Sequence, residues 1–148
     1  MLLAYEGDAE SQYELAILFT QGVGVMPNFG EAFFWFSRAA EQGYVDAQYR
    51  VGSAYLNGKG VDPDQQKGLE WWRKASEGGS LSALYHLGRA YFYGVGVKSD
   101  LAEAKRLLQL AADIGSEQAD ILLREIDIRS NADSALSVPD WVRIGDEA

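Results

Sequence analysis

The chain repeats itself every 36 residues, and this period limits its possible folds more than any other feature of the sequence. Glycines show the period most clearly, in the columns Gly7, Gly43, Gly79, Gly115; Gly22, Gly58, Gly94; and Gly24, Gly60, Gly96. Small and aromatic residues keep the same register without any insertion, as in the columns Ala47, Ala83, Ala119 and Phe19, Tyr55, Tyr91. Tandem copies of one short unit predict an array of stacked repeats.

Within each unit, apolar residues are spaced as on one face of a helix, both before and after the glycine loop. In the second unit, Ala47 and Val51 precede the loop that begins at Gly58, and Trp71 and Ala75 follow it. Each unit is therefore predicted to hold two short helices. First helices are predicted near 8–20, 44–56, 80–92 and 116–129, and second helices near 28–42, 64–78 and 100–114.

Polar residues in one column mark where the second helices begin. Asn28, Asp64 and Asp100 share this column, and side chains of this kind cap helix N-termini. Glu31 and Glu103 follow two of them at the spacing of a capping box. We therefore interpret these residues as caps rather than as catalytic groups.

Two columns of small residues have structural interpretations. Gly43 and its equivalents fall where a second helix stops, a position that favours a left-handed residue without a side chain. Ala16, Gly52 and Gly88 lie inside the first helices, where glycine costs about 1 kcal/mol relative to alanine. Close approach of the facing helix is the compensation that we expect there.

Paired helices of this size cannot bury an apolar stripe alone, so neighbouring units must stack. We predict an all-α fold, a right-handed α-α solenoid of about three and a half helix-turn-helix repeats with a concave and a convex face. The solenoid is expected over residues 1–129, with repeats at about 8–43, 44–79 and 80–115 and a partial repeat at 116–129.

The two ends of the chain depart from the repeat. Residues 3–7 correspond to the end of a second helix, so either a preceding repeat has been removed or the chain starts with an apolar edge exposed. Residues 130–148 are polar apart from an apolar group around Trp141. We expect this segment to cap the last helix, or to dock into a groove of its own or a neighbouring molecule.

The motifs of the second unit resemble a known family. Its residues are Ala47-Gln48-Tyr49-Arg50-Val51-Gly52, Tyr55, Gly58-x-Gly60-Val61, Trp71, Lys74-Ala75 and Gly79. They resemble the Sel-one-like repeat family, relatives of tetratricopeptide repeats with a slightly longer unit, and the resemblance covers about residues 7–129. Ser11 in the first unit and Leu107-Leu108 in the third depart modestly from the pattern. The resemblance implies a bacterial adaptor or scaffold that binds other proteins and has no general catalytic motif.

Composition removes several classes of function. With no cysteine and one histidine, His86, the chain lacks a thiolate nucleophile and the ligands of Cys-based or multi-His metal sites. A formal charge of −9 argues against a nucleic-acid partner, since binding to a polyphosphate needs a basic surface. No segment approaches the about 18 apolar residues of a membrane span, and the N-terminus has no leader-like pattern. We expect no cofactor, no membrane insertion and a cytoplasmic location, or an exported protein if a leader was removed.

Residues that could carry chemistry all have structural interpretations as well. His86 could act in acid–base catalysis, but no partner type recurs around it in its column. The glycine loops lack the preceding strand and the lysine-serine ending of a phosphate-binding loop. The aromatic pairs Trp35-Phe36 and Trp71-Trp72 have the spacing of helix packing, so we assign them to the core rather than to a stacking platform. The chain is therefore predicted not to be an enzyme.

Columns that the repeat does not keep are better candidates for binding, because positions that do not hold the stack together are free to suit a ligand. These columns are Glu14, Arg50, His86; Ile17, Ser53, Arg89; and Gln21, Asn57, Tyr93. They form one stripe on the first helices, and such helices line the concave face of a solenoid. From this stripe we predict a partner-binding site of Arg50, Ser53, Asn57, His86, Arg89 and Tyr93. Arginine and tyrosine are typical of protein-binding patches, and a merely solvated face is the alternative.

The sequence thus predicts an adaptor that binds a protein or peptide on its concave face. The alternative is a dedicated antagonist, such as an immunity protein that masks a basic toxin or secreted effector. Acidic residues concentrate in residues 1–37 and 116–148. They could steer such a partner, or keep the ends of the array solvated. An enzyme would instead need a closed pocket with a perturbed acid–base pair. The partner and the oligomeric state are left open.

Overall fold

The protein is a series of helices joined by short turns. The structure, a computed structural model, describes residues 2–136 and the side chains of residues 2–133. Its helices are α1 (Leu2–Tyr5), α2 (Ala9–Gln21), α3 (Phe29–Glu41), α4 (Val45–Asn57), α5 (Gln65–Glu77), α6 (Leu81–Tyr93), α7 (Leu101–Asp113) and α8 (Glu117–Leu136). No strand occurs within this described range, so the prediction of an all-helical solenoid is confirmed.

The helices α2 to α7 begin and end within one residue of the predicted bounds. The last helix does not, because α8 continues to Leu136 although it was predicted to end at residue 129. Ser, Asn and Asp were interpreted as a stop, but they are only weakly unfavourable inside a helix. The Trp141 segment, predicted to cap the array, lies outside the described residues.

The predicted N-caps are confirmed, but the capping boxes are not: the backbone N–H groups of Asn28 and Asp100 donate to the carbonyl oxygens of Phe19 and Tyr91 instead of to Glu31 and Glu103. The side chains of Asn28, Asp64 and Asp100 each accept a hydrogen bond from the backbone N–H three residues further on, at 3.0–3.1 Å. Gly43 and Gly79 follow the second helices with φ values of 91° and 87°, as the left-handed position requires. The local signals in each unit therefore agree with the bounds of its second helix.

The two helices of a unit approach closely at their small residues. A Cβ atom added to Gly52 in α4 would collide with the Trp72 ring and lie 2.8 Å from the carbonyl oxygen of Gly68 in α5. A Cβ added to Gly88 in α6 would lie 2.8 Å from Cγ of Leu108 in α7. The close approach predicted from this column is confirmed.

Successive units are joined by packing and by buried side-chain hydrogen bonds. Each helix packs mainly on the next one along the chain, as expected of a solenoid. The amide of Gln12, which is 1% exposed, donates to the carbonyl oxygen of Ala4 at 3.1 Å. Gln48 donates in the same way to Ala40 one unit later, at 3.4 Å. These bonds tie a first helix to the end of the preceding second helix.

The core lies between the two layers of helices. Trp35 and Phe36 are 4% and 6% exposed, so their assignment to the core is confirmed. Leu87, Leu108 and Ile126 are among the largest fully buried side chains of the C-terminal half. Each unit thus supplies part of a core that its neighbour completes.

The close contact between α4 and α5 predicts the effect of adding one methyl group. Gly52→Ala should lower the free energy of unfolding by about 1–2 kcal/mol, because overpacking outweighs the about 1 kcal/mol that alanine gains in a helix. Gly30→Ala is the control: the only atom within 4 Å of the added Cβ is Oδ1 of Asn28, at 3.3 Å. Urea unfolding followed by circular dichroism measures both. Equal stability of Gly52→Ala and the wild-type chain would contradict the close-approach argument.

Candidate protein-binding recesses

Two recesses open along the first helices, and the repeat generates both. The first recess has a volume of about 180 Å³ and lies between α2, α3 and α4; the second, of about 340 Å³, lies between α4, α5 and α6. Adding 36 to the positions that line the first recess gives nine of the ten positions that line the second. The recess is therefore a consequence of stacking one unit on the next.

The structure distributes the predicted stripe between these two recesses. The first recess is lined by Arg50, Ser53 and Asn57, and the second by Asn57, His86, Arg89 and Tyr93. Asn57 lies on the rim that the recesses share. The six residues are thus brought to one continuous surface, and their role in binding a partner stays a prediction.

The wall of the second recess is an aromatic stack that joins three helices. Ring centroids of Tyr49 and His86 lie 5.8 Å and 5.4 Å from that of Trp72, and 5.9 Å from each other. The interplanar angles are 15–30°. Offset stacking of this kind stabilises a fixed arrangement of rings. The wall of the second recess is therefore preorganised.

Ser53 belongs to the support of this wall. Its Oγ accepts a hydrogen bond from Nε1 of Trp72 at 3.3 Å and donates one to the carbonyl oxygen of Tyr49 at 3.1 Å. Trp72 Nε1 also donates to the Tyr49 carbonyl oxygen, at 3.2 Å. Ser53, predicted as a contact residue, therefore orients the indole that faces the recess.

His86 is half-buried within the stack. Burial, and then the positive charge of Arg89, lower the pKa of its imidazole below the usual value of 6.5. The ring is therefore neutral at pH 7 and packs as an aromatic group. Its close neighbours Tyr49 and Trp72 offer ring faces, which do not supply the partner that general acid–base catalysis needs.

The charges around the recesses are positive. Arg50 and Lys59 line the first recess and Arg89 lines the second, whereas no Asp or Glu of the described residues lines either one. The ammonium of Lys59 lies 5.4 Å from the ring centroid of Phe29, and the guanidinium of Arg89 lies 5.6 Å from that of Tyr85. Within residues 2–133, none of these three cations has a carboxylate oxygen within 4.0 Å.

A third recess marks where this pattern changes. It lies between α6 and α8 and shares Arg89 and Tyr93 with the second recess, but it also contains Glu125. The surface therefore becomes mixed in charge toward the C-terminal end of the described residues.

Sequence reasoning missed the contribution of the second helices to these recesses. Trp72, Leu69 and Gln65 from α5 line the second recess together with the stripe of α6. The helical spacing predicted Trp72 to be a core residue, and it does pack against the core on one side. The overlooked signal is Gly52, because a glycine facing Trp72 leaves room for the indole to lie between the helices.

Other kinds of site find no support in the described part of the chain. No group of three His, Asp or Glu side chains there is placed to hold a metal ion. None of its helices is both long and apolar enough to cross a membrane.

The architecture defines a class of protein, an α-solenoid built from tandem helix pairs of 36 residues. The Sel1 repeat family matches the chain at residues 9–44, 45–80 and 81–116. The chain belongs to the Sel1 repeat family. Proteins with these repeats are generally protein-interaction scaffolds and are typically not catalytic.

Solved structures of bacterial proteins share the fold. A protective antigen with an SLR fold from uropathogenic Escherichia coli strains is 39% identical, with a TM-score of 0.76 over 80% of this chain. A Sel1 repeat protein from Oxalobacter formigenes is 32% identical, with a TM-score of 0.75 over 76% of this chain. Helicobacter pylori cysteine rich protein B is 25% identical, with a TM-score of 0.66 over 77% of this chain.

These proteins differ from the chain in length. The match covers 25% of the E. coli antigen and 46% of the O. formigenes protein, whereas it covers 88% of the H. pylori protein. A search of curated proteins finds no match.

The environment of His86 predicts how stability depends on pH. Because the pKa of His86 is lower in the folded chain, the unfolded chain binds a proton more readily. Its contribution to stability is therefore complete above the unfolded pKa of 6.5 and is lost as the pH falls through the folded pKa. The free energy of unfolding should rise as the pH is raised from the folded pKa to above the unfolded pKa of 6.5, and His86→Phe should remove much of this rise. Urea unfolding at a series of pH values measures both chains, and parallel profiles would refute the assignment.

Proposed function

We propose that the chain is a protein-interaction module that binds a segment of a partner protein along the two recesses. The observation that carries this proposal is the repetition of one recess with different side chains in successive units. The glycine and alanine columns at the turns and helix crossings stay constant or small, while Arg50, His86 and their neighbours vary around the recess. Repeat proteins present extended binding surfaces by varying accessible positions on a repeated framework.

The size and continuity of the recesses favour a chain segment as the occupant. The larger recess, at about 340 Å³, lies near the lower end of the range of about 300–1,000 Å³ for small-molecule pockets, and the smaller one lies below it. Each suits one side chain better than a whole cofactor. Two such recesses that share a rim at Asn57 suit consecutive parts of one peptide.

The residues around the recesses are of the types that dominate binding energy at protein interfaces. Tyr93 is 52% exposed at the mouth of the second recess, and Arg50 and Arg89 are also exposed. Tryptophan, tyrosine and arginine are the residues most often found at interface hot spots. Trp72 and His86, which are held in place by stacking with Tyr49, add a surface that loses little conformational freedom on binding.

The proposal is tested by capture of the partner followed by a binding measurement. The intact chain is used to isolate proteins from a lysate of the source organism, and the captured partner is purified and titrated calorimetrically. The variant Arg50→Ala, Arg89→Ala, Tyr93→Ala should bind at least about 100-fold more weakly, since each hot-spot truncation costs about 1–2 kcal/mol.

A matched variant on the second helices controls for loss of charge and of an aromatic ring. Phe34→Ala, Arg38→Ala, Arg106→Ala also removes two arginines and one aromatic ring, from α3 and α7, at positions that line neither recess. It should retain the wild-type affinity. A partner that binds the Arg50→Ala, Arg89→Ala, Tyr93→Ala variant and the wild-type chain equally well would show that binding occurs elsewhere.

A further inference from the structure

The sign of the charge in the recesses is opposite to that of the whole chain, and this difference indicates the chemistry of the occupant. The chain carries a formal charge of −9, yet Arg50, Lys59 and Arg89 are the charged groups that line the two recesses. His86 adds no charge at pH 7, because its lowered pKa keeps the imidazole neutral. The chemistry inferred for the occupant rests on the proposed function, namely that a protein segment occupies this surface.

Apolar side chains form the floor beneath these cations. Phe33 and Phe36 line the first recess, and Leu69, Trp72 and Val95 line the second. An occupant that covers this surface must place an apolar group in each recess, because apolar surface contributes to the binding free energy only when it is removed from water. Around each apolar group it must offer negative charge, because arginine and lysine buried beside neutral or positive groups lose hydration without compensation.

The spacing of the two recesses sets the spacing of the apolar groups. The rings of Tyr49 on α4 and His86 on α6 have centroids 5.9 Å apart, so side chains of adjacent first helices meet, although each helix packs mainly on the next one along the chain. Packed helices lie about 8–10 Å apart, and an extended chain rises about 3.3 Å per residue. The packed-helix distance is therefore a lower limit for α4 and α6, and equivalent points of the two recesses are at least about three residues apart along an extended peptide.

We propose that the occupant is an extended acidic segment of a partner protein, with two large apolar side chains at least about three residues apart and carboxylates beside them. One apolar side chain enters each recess. The carboxylates contact Arg50 and Lys59 at the first recess and Arg89 at the second. Glu125 in the third recess disfavours continuation of an acidic segment past α6, which limits its length on that side.

A basic segment would interact with the same surface unfavourably. It would bring its cations against Arg50, Lys59 and Arg89, where no described carboxylate lines the recess to pair with them. Attraction of a basic protein to the acidic chain as a whole would therefore act at other surfaces. The recesses thus favour an acidic partner, whereas the acidic ends of the chain favour a basic one.

The experiment is a selection of random 12-residue peptides displayed on phage against the immobilised full chain. Enriched peptides should contain Asp or Glu beside two large apolar residues at least about three positions apart. A synthetic peptide of the enriched sequence should bind with an affinity that falls with salt. The double variant Arg50→Glu, Arg89→Glu should bind this peptide at least tenfold more weakly than the wild-type chain.

A second double variant provides the control for net charge. Lys98→Glu, Arg129→Glu changes the formal charge by the same amount, at exposed positions that line neither recess. It should bind the enriched peptide as the wild-type chain does, provided that circular dichroism shows both variants to be folded.

The remaining outcomes separate this inference from the proposed function. Enrichment of basic peptides that the Arg50→Glu, Arg89→Glu variant binds differently would overturn the acidic occupant and retain the recesses as a binding site. Enriched peptides that bind this variant and the wild-type chain alike would overturn both. Selection of no peptide above the level of the uncoated support would also count against the proposed function, and the inference would fall with it.

Discussion

The structure depends on the close crossing of the two helices within each unit. At the crossing of α4 and α5, a Cβ on Gly52 would lie 2.8 Å from the carbonyl oxygen of Gly68, and one on Gly68 would lie 2.9 Å from that of Gly52. Two backbones in near contact leave the Trp72 ring to lie beside Gly52, where Tyr49 and Ser53 hold it. The wall of the second recess therefore depends on glycine, which has no side chain, at both Gly52 and Gly68. A larger residue at Gly52 would displace the indole as well as separate the helices.

The same constraint indicates where the regular array changes. The position equivalent to Gly52 and Gly88 in the fourth unit is Arg124, which is exposed and donates to Oδ2 of Asp120 at 2.7 Å. A helix cannot cross α8 at the distance seen for α4 and α5, because Arg124 has the Cβ atom that Gly52 lacks. The long α8 is consistent with this change, because it continues to Leu136 where earlier first helices end in a glycine loop.

Much of the fold was predictable because the determining signals are local and are repeated. Cap residues such as Asn28 and left-handed glycines such as Gly43 act within a few residues, and three copies of each signal reduce the chance of a misreading. The site was predictable only in part, since stripe periodicity places residues on one helix but does not show what faces them. Trp72 comes from the other layer, and its packing against both core and recess depends on the crossing at Gly52. The end of α8 was mispredicted because a composition that breaks a repeat need not break a helix.

Because a recess forms between adjacent units, its chemistry is set by two units at once. The three complete units create two recesses with the same backbone geometry but different side chains: Arg50 beside Phe36 in the first, and His86 beside Trp72 in the second. Substitutions at exposed variable positions such as Arg50 and Arg89 can change what one recess accepts without disturbing the helix crossing that supports it. Phe36, Trp72 and His86 also pack between helices, so changes there affect both the recess and its support. Net charge describes the chain as a whole, and the surface along α4 and α6 differs from it in sign. The sign of the local charge therefore has more bearing on what this surface binds than the formal charge of −9 does.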